Sequence, residues 1–560
     1  MYAEDDSLPV TQSRVSRRTF MGVAGAGALA VAMPAGIASA KPASSGAFRH
    51  GVASGDPLPG GIILWTRVTP SADAKPGSGR GAGSTLTWEI SSNQGFGSIA
   101  ASGSVSTDAS RDHTVKVDVS GLAPATHYWY RFRVTGGPAA GAVSPTGRTK
   151  TAPATDADVS KVRFGVVSCA NWEAGYFSAY RHLANKSNLD AIIHLGDYIY
   201  EYGVGGYGGK YGTVRKHEPA HDIVSLADYR IRHAQYKTDP DLMKLHAEYP
   251  FITTWDDHET ADNSWRAGAE NHNPRTQGSW AARKANADKA YFEWMPIRPV
   301  VSANNRQIYR RLRYGNLLEL SMLDLRTYRD QEVSQFSNKT DSNTATITGK
   351  AQMKWVTGGI TTSTTKWQLV GNPVLISPFL LPPLDPKTTG PLTELTGIPE
   401  NGIPFNADVW DGYTKDRARL LNAVDKAGKK NVVFLTGDIH MSWANDIPRE
   451  PANYPGAGTF GTEFVVTSVT SNNLDDMVGA PEHTIGSVAG DAIKAANRHT
   501  QWIDTDAHGY AVLTVDSAAA QMDWYSVRDR ADRNTGEYYS QSWKVRSGTR
   551  RLSKAAGPRS

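Results

Sequence analysis

The sequence predicts an α/β protein that carries a small β-sandwich at its N-terminal end, and three observations predict it. Between residues 48 and 151, short alternating apolar runs are separated by clusters of Gly, Pro and Ser. A polar linker covers residues 151–160. Beyond it, apolar runs alternate with longer stretches of helical period, the texture of a layered α/β domain.

Taken in order, residues 61–68 (GIILWTRV), 86–90, 113–119 and 128–134 read as strands of the sandwich. The stretch 121–130 (GLAPATHYWY) resembles the loop-then-strand signature of fibronectin-type and immunoglobulin-like sandwiches, which implies a structural module. After the linker, residues 162–168 form a buried strand and 176–184 a helix. Five further strands end in polar residues: 191–195 in Gly196-Asp197, 251–255 in Asp256-Asp257-His258-Glu259, 317–323 in Asp324, 367–370 in Gly371-Asn372, and 432–435 in Thr436-Gly437-Asp438. Loops at the C-terminal ends of such strands converge, and sites are built there. Residues 203–239, rich in Tyr and His, read as a covering insertion, and the basic stretch after Arg546 as a solvated tail. The domain bounds expected are 46–151 for the sandwich, 160–545 for the α/β domain and 546–560 for the tail.

Composition narrows the class. A chain of 560 residues is too long for one ordinary core. A net charge of +5 without a dense basic stripe argues against dedicated nucleic-acid binding. The single cysteine, Cys169, forbids an intrachain disulfide. Ser16-Arg17-Arg18-Thr19-Phe20-Met21 is a twin-arginine pattern, followed by an uncharged stretch over residues 22–37 and by Ala38-Ser39-Ala40. Residues 1–40 therefore read as a cleaved export signal, with the twin-arginine translocase as partner and an extracellular destination. The stretch is too short and too weakly apolar to cross about 30 Å of hydrocarbon.

Five strand ends carry residues suited to metal chemistry. In Gly196-Asp197-Tyr198-Ile199-Tyr200, Asp197 and Tyr200 can place a carboxylate and a phenolate on one cation, and a trivalent iron holds tyrosine ionised at neutral pH. Asp257 can ligate while His258 meets the substrate as a proton donor. Asp438 and His440 can turn to one site from an extended loop. Cys169, at the first strand end, is either a buried apolar thiol or a thiolate pinned by a metal. Asn372 offers an amide oxygen to a hard cation, or simply closes a turn. Asp262 and Asn263 are weaker candidates of the same kind.

In this order the motifs resemble the calcineurin-like metallophosphoesterases, and Gly196-Asp197 with Tyr200 is similar to the purple acid phosphatases, whose tyrosine binds ferric iron. The usual Gly-Asn-His-Glu/Asp is replaced by Asp256-Asp257-His258-Glu259, the usual Gly-His-x-His by Gly437-Asp438-Ile439-His440, and the first ligand by Cys169. That combination, with residues 50–57 (HGVASGDP) and 64–67 (LWTR), resembles the alkaline phosphatase D family, which includes a metal-dependent secreted phospholipase D. The resemblance implies a two-sheet metallophosphoesterase domain. It implies Fe3+ on Cys169, Asp197 and Tyr200, with Asp257, Asn372, Asp438 and His440 completing a cluster that includes Ca2+. It implies attack on phosphorus by a metal-activated hydroxide, with His258 assisting the leaving oxygen. The substrates implied are phosphate monoesters or diesters, with a phospholipid at a membrane surface as the alternative. A non-catalytic secreted binding protein is the rival of another class.

Overall fold

The computed structural model describes residues 46–298, 300–302 and 305–559. The twin-arginine motif and its cleavage site lie outside the described residues. Among those described, no helix is long and apolar enough to cross a membrane.

Two large sheets face each other. The first has ten strands, in the spatial order Leu552–Lys554, Glu537–Arg546, Ala519–Val527, Gly509–Asp516, Lys161–Val167, Ala191–His194, Phe251–Thr253, Val52–Leu58, Gly61–Arg67 and Thr114–Ser120. The second has seven: Arg310–Tyr314, Leu318–Met322, Trp367–Asn372, Val432–Thr436, Thr459–Val465, Ser442–Pro448 and Thr500–Asp504. Side-chain alternation explains the layering. Ala191 and Ile193 pack between the sheets with Leu320, Leu369, Val433 and Leu435. Ile192 points the other way, under the helices Ser178–Ala184 and Pro240–Glu248. Val432 and Phe434 pack under Gly349–Thr362 and Thr414–Lys426. Strands buried on both faces read as unbroken apolar runs, which is why they were legible. The layers are helix, sheet, sheet, helix.

The sandwich pairs the strands Val52–Leu58, Gly61–Arg67 and Thr114–Ser120 with a four-stranded sheet, Ile99–Thr107, Ser84–Ser91, His127–Gly136 and Gly147–Lys150, around its own apolar core. Its first strand lies parallel to Phe251–Thr253, with Gly55 opposite Phe251. One sheet therefore runs unbroken from the sandwich into the α/β layers, a continuity invisible in the linear texture.

The C-terminal stretch corrects one expectation. It is no solvated tail: Leu552–Lys554 adds a strand to the edge formed by Glu537–Arg546. Arg559 donates its backbone N–H to Asp523 at 3.0 Å and pairs with Asp516, while Arg163 donates to the Arg559 carbonyl at 3.2 Å. The basic charge is used in pairing.

In the first sheet, Lys161–Val167, Ala191–His194 and Phe251–Thr253 are parallel neighbours. In the second, Leu318–Met322, Trp367–Asn372 and Val432–Thr436 are parallel too. A parallel bridge between Ser168 and Ser468 links the segment past Lys161–Val167 to the one past Thr459–Val465, the neighbour of Val432–Thr436. The six loops meet along one rim.

Candidate metal centre

The rim is built on strained backbone. Cys169, Asp197, Asp438 and His440 all adopt left-handed conformations, with φ of 57°, 55°, 62° and 58°. Each such residue costs about 1 kcal/mol or more and persists only where surroundings impose it. The expectation that Asp438 and His440 converge through an extended loop is thus corrected: tight left-handed turns aim them. Two glycines make the turns possible. A Cβ on Gly196, itself at φ 113°, would sit 2.8 Å from the Asp256 backbone nitrogen, and one on Gly437 would sit 2.8 Å from Ser168 Oγ. Hydrogen bonds lock the loops together. Cys169 and Ala170 donate their N–H groups to the carbonyls of Gly196 and Asp197 at 3.2 and 2.9 Å. Glu259 accepts from the backbone of Asp197, Tyr198 and Asp256 at 3.1, 2.6 and 2.8 Å.

Two ligand groups result. Cys169, Asp197 and His440 bring one donor atom each within 4.8 Å of one another, and so do Asp197, Asp257 and His258. Asp197 belongs to both. Tyr200 joins the first group, its hydroxyl 3.2 Å from Asp197 Oδ2 and 3.3 Å from His440 Nε2. His440 Nδ1 lies 2.6 Å from the Asn472 carbonyl and donates to it, which leaves Nε2 with a free lone pair. Burial lowers the pKa of His440 to about 4, so the ring is neutral. His258 Nδ1 likewise donates to Glu201 Oε2 at 2.7 Å, which fixes the ring beside Asp197 and Asp257.

The donor set fits a cation. Asp197 Oδ1 is buried without any hydrogen-bond partner. Burial, and then the neighbouring Asp197, push the Cys169 thiol and the Tyr200 phenol well above their ordinary values. Asp197 itself is pushed well up by burial, and by Asp257 against the pull of His258. An acid cluster made expensive to ionise by its own crowding becomes favourable once positive charge is supplied.

Asp438 stands apart from both groups, its Oδ1 3.5 Å from an Arg326 nitrogen. Asn372 is not gathered in. Its oxygen accepts from the Trp410 indole at 2.8 Å, and its amide nitrogen donates to Val374 and Thr436 at 2.5 and 3.1 Å. These bonds tie the loop after Trp367–Asn372 to its neighbours. Asp262 accepts from the Tyr202 hydroxyl at 2.7 Å, and Asn263 donates its N–H to Asp257 Oδ2 at 2.7 Å, so both support the site from outside it.

Several residues escaped the sequence reading. Arg326 is buried and holds Asp256 at 2.5 Å and Asp408 at 2.7 Å, with Asp257 3.7 Å away. It lies four residues past the strand Leu318–Met322, where the strand-end rule would have found it. Asp408 carried no signal, being in a long connection. Glu201 and Glu259 sit inside the motifs but act through the backbone and His258 rather than on a cation. Tyr207, in the covering insertion, stacks on Tyr200 at 5.7 Å between ring centroids and walls one side.

Comparison with known proteins follows the same lines. The family described as PhoD-like phosphatase matches residues 164–524, and its N-terminal domain matches residues 33–153. Alkaline phosphatase D of Bacillus subtilis (strain 168) is 36% identical over 482 residues, covering 84% of this chain and 76% of that protein. The chain belongs to the PhoD-like phosphatase family. A solved structure of PhoD superposes with a TM-score of 0.79 at 32% identity, over 93% of this chain and 94% of that one. A purple acid phosphatase from yellow lupin seeds shares the fold, with a TM-score of 0.50 at 13% identity over 88% and 73% of the two chains. This PhoD-like phosphatase is a phosphoric ester hydrolase, and its strand-end rim carries two groups of residues able to hold a metal ion.

Proposed function

We propose that the rim holds a ferric ion on Cys169, Asp197, Tyr200 and His440, and a second hard cation, calcium, beside Asp257 and Asp438. The observation that carries this reading is the unpartnered buried Oδ1 of Asp197 at the junction of two ligand groups, the position of a bridging carboxylate. A phenol and a thiol favour a trivalent ion on one side, and an oxygen-rich carboxylate side favours calcium over zinc. When bound, such ions activate water and neutralise charge on a phosphoryl group. The protein's own part is positioning and proton transfer. Burial works against a charged His258, but Asp257, Glu201 and Asp197 outweigh it and hold the imidazole pKa well above its usual value. His258 is thus a proton donor for the leaving oxygen, with Glu201 fixing its ring. The same reading makes residues 1–40 a twin-arginine signal, so the exported protein begins at Lys41 on N-terminal sequencing.

Tyr200→Phe tests the iron. It is expected to remove the visible absorption of a tyrosinate–iron pair and to lower kcat at least about 100-fold while the fold persists. Unchanged absorption and turnover would remove the assignment, and a colourless, iron-free, folded and inactive wild-type protein would support the binding-protein rival. A phosphate monoester, a diester and a phospholipid, each assayed with and without calcium, separate the substrate classes. Calcium-dependent turnover is expected on the first two, and turnover confined to the phospholipid would make the protein a phospholipase D.

A further inference from the structure

We infer that Ser471 is a positioning residue that donates its hydroxyl proton to the Tyr200 oxygen and so sets how strongly that phenolate binds its metal. The inference rests on the reading of Tyr200 as an iron ligand.

Ser471 is fully buried, and its Oγ lies 2.5 Å from the Tyr200 hydroxyl oxygen and 2.9 Å from the Cys169 carbonyl. One proton is available for two acceptors. The Tyr200 hydroxyl donates to Asp197 Oδ2 at 3.2 Å, which leaves its oxygen free to accept the serine proton. A phenolate oxygen is a stronger acceptor than a peptide carbonyl, so on a metal-bound tyrosinate the proton stays on Tyr200.

Its setting fixes the oxygen in place. The Ser471 carbonyl accepts from Ser468 Oγ at 2.6 Å and from His508 Nε2 at 2.9 Å. Arg530 donates to the Thr470 carbonyl at 2.9 Å and to Asp476 at 2.6 Å, and reaches the Asn472 side chain at 3.2 Å. The next carbonyl along, that of Asn472, is the one that fixes His440. One short loop between Ser468 and Asn473 therefore orients two ligand side chains from behind, and a buried ion pair holds that loop. Nothing in a Thr-Ser-Asn-Asn sequence announces such a task.

A hydrogen bond to phenolate oxygen withdraws electron density from it. Charge transfer from tyrosinate to ferric iron then needs more energy, and the metal stays more acidic. Ser471→Ala is expected to keep its iron, move the visible band to longer wavelength and lower kcat about tenfold with KM little changed, the loss of one buried hydrogen bond. Ser471→Thr, which keeps the hydroxyl, is expected to restore the band position. A second measurement needs no variant: resonance Raman of the wild-type iron protein in H2O and in D2O, where a serine donor shifts the tyrosinate C–O stretch on exchange. A band that stays in place in Ser471→Ala with iron retained, or a C–O stretch insensitive to D2O, would overturn the role of Ser471. A wild-type protein with iron but no tyrosinate band would instead overturn the reading of Tyr200.

Discussion

Asp197→Asn is expected to cut phosphatase turnover by about 1,000-fold or more, because it takes the shared negative charge from both ligand groups at once. The substitution is nearly isosteric, so the loops should keep their places. What distinguishes a ligand from a structural carboxylate is the opposite effect on the metal-free protein. After chelation, Asp197 is a buried acid with one unpartnered oxygen, pushed above the ordinary carboxylate range by burial and by Asp257. The folded state then binds its proton more tightly than the unfolded state does. Stability must fall as pH rises from the unfolded pKa, near 4, towards the folded one. Removing the charge by Asp197→Asn is expected to flatten part of that fall and raise the Tm of the chelated protein at neutral pH. Asp438, pushed well up, Asp256, raised to about 6, and Glu259, raised to about 7, all chiefly by burial, add to the fall. A chelated variant less stable than chelated wild type at pH 8 would show that Asp197 is tied into the fold by contacts other than a cation. Metal content of the untreated variant completes the test and should fall with turnover.

Arg326→Met is expected to destabilise the protein by about 3–5 kcal/mol, the usual result of removing one partner from a buried charge cluster. Arg326 is 3% exposed, forks onto Asp256 at 2.5 and 3.2 Å, and reaches Asp408 at 2.7 Å. Methionine fills the volume but leaves those carboxylates buried and uncompensated. Arg326→Lys should recover only part of the loss, since one ammonium cannot serve two carboxylates in the directions a guanidinium can. Urea unfolding with excess metal measures the difference, and a change below about 1 kcal/mol would place Arg326 among ordinary surface cations. Arg329, with its own contact to Asp408 at 2.5 Å, is the group best placed to soften the effect.

These expectations draw unequally on sequence and structure. Buried parallel strands were plain to see because both faces of each are covered, so Val432 to Leu435 shows no polar interruption and Val162 to Val167 only Arg163. The strands Val52–Leu58 and Ile99–Thr107 were harder: the first carries Gly55, Asp56 and Pro57, and the second is mostly small and polar. The C-terminal hairpins mix polar and apolar residues at a sheet edge, where one face is half exposed and the pattern weakens. At the site, residue type at strand ends singles out Cys169, Asp197, Tyr200, Asp257, His258 and His440, and folding brings them together at one rim. Asn372 has similar chemistry and a strand end of its own, and there its oxygen accepts from Trp410, 38 residues away.

The linear sequence is enough to place the buried parallel strands, to show which of their ends carry donors, and to say which kinds of cation such donors suit, because strand burial and ligand chemistry are local properties of a few adjacent residues. It takes the folded chain to put Asp197 between two groups, to set the one guanidinium of Arg326 against Asp256 and Asp408, and to bring Ser471 to Tyr200 across 271 residues of chain. Those are meetings of distant segments. Left-handed turns, close glycine contacts and shared backbone hydrogen bonds fix them, and none of these is written in the spacing of any one motif.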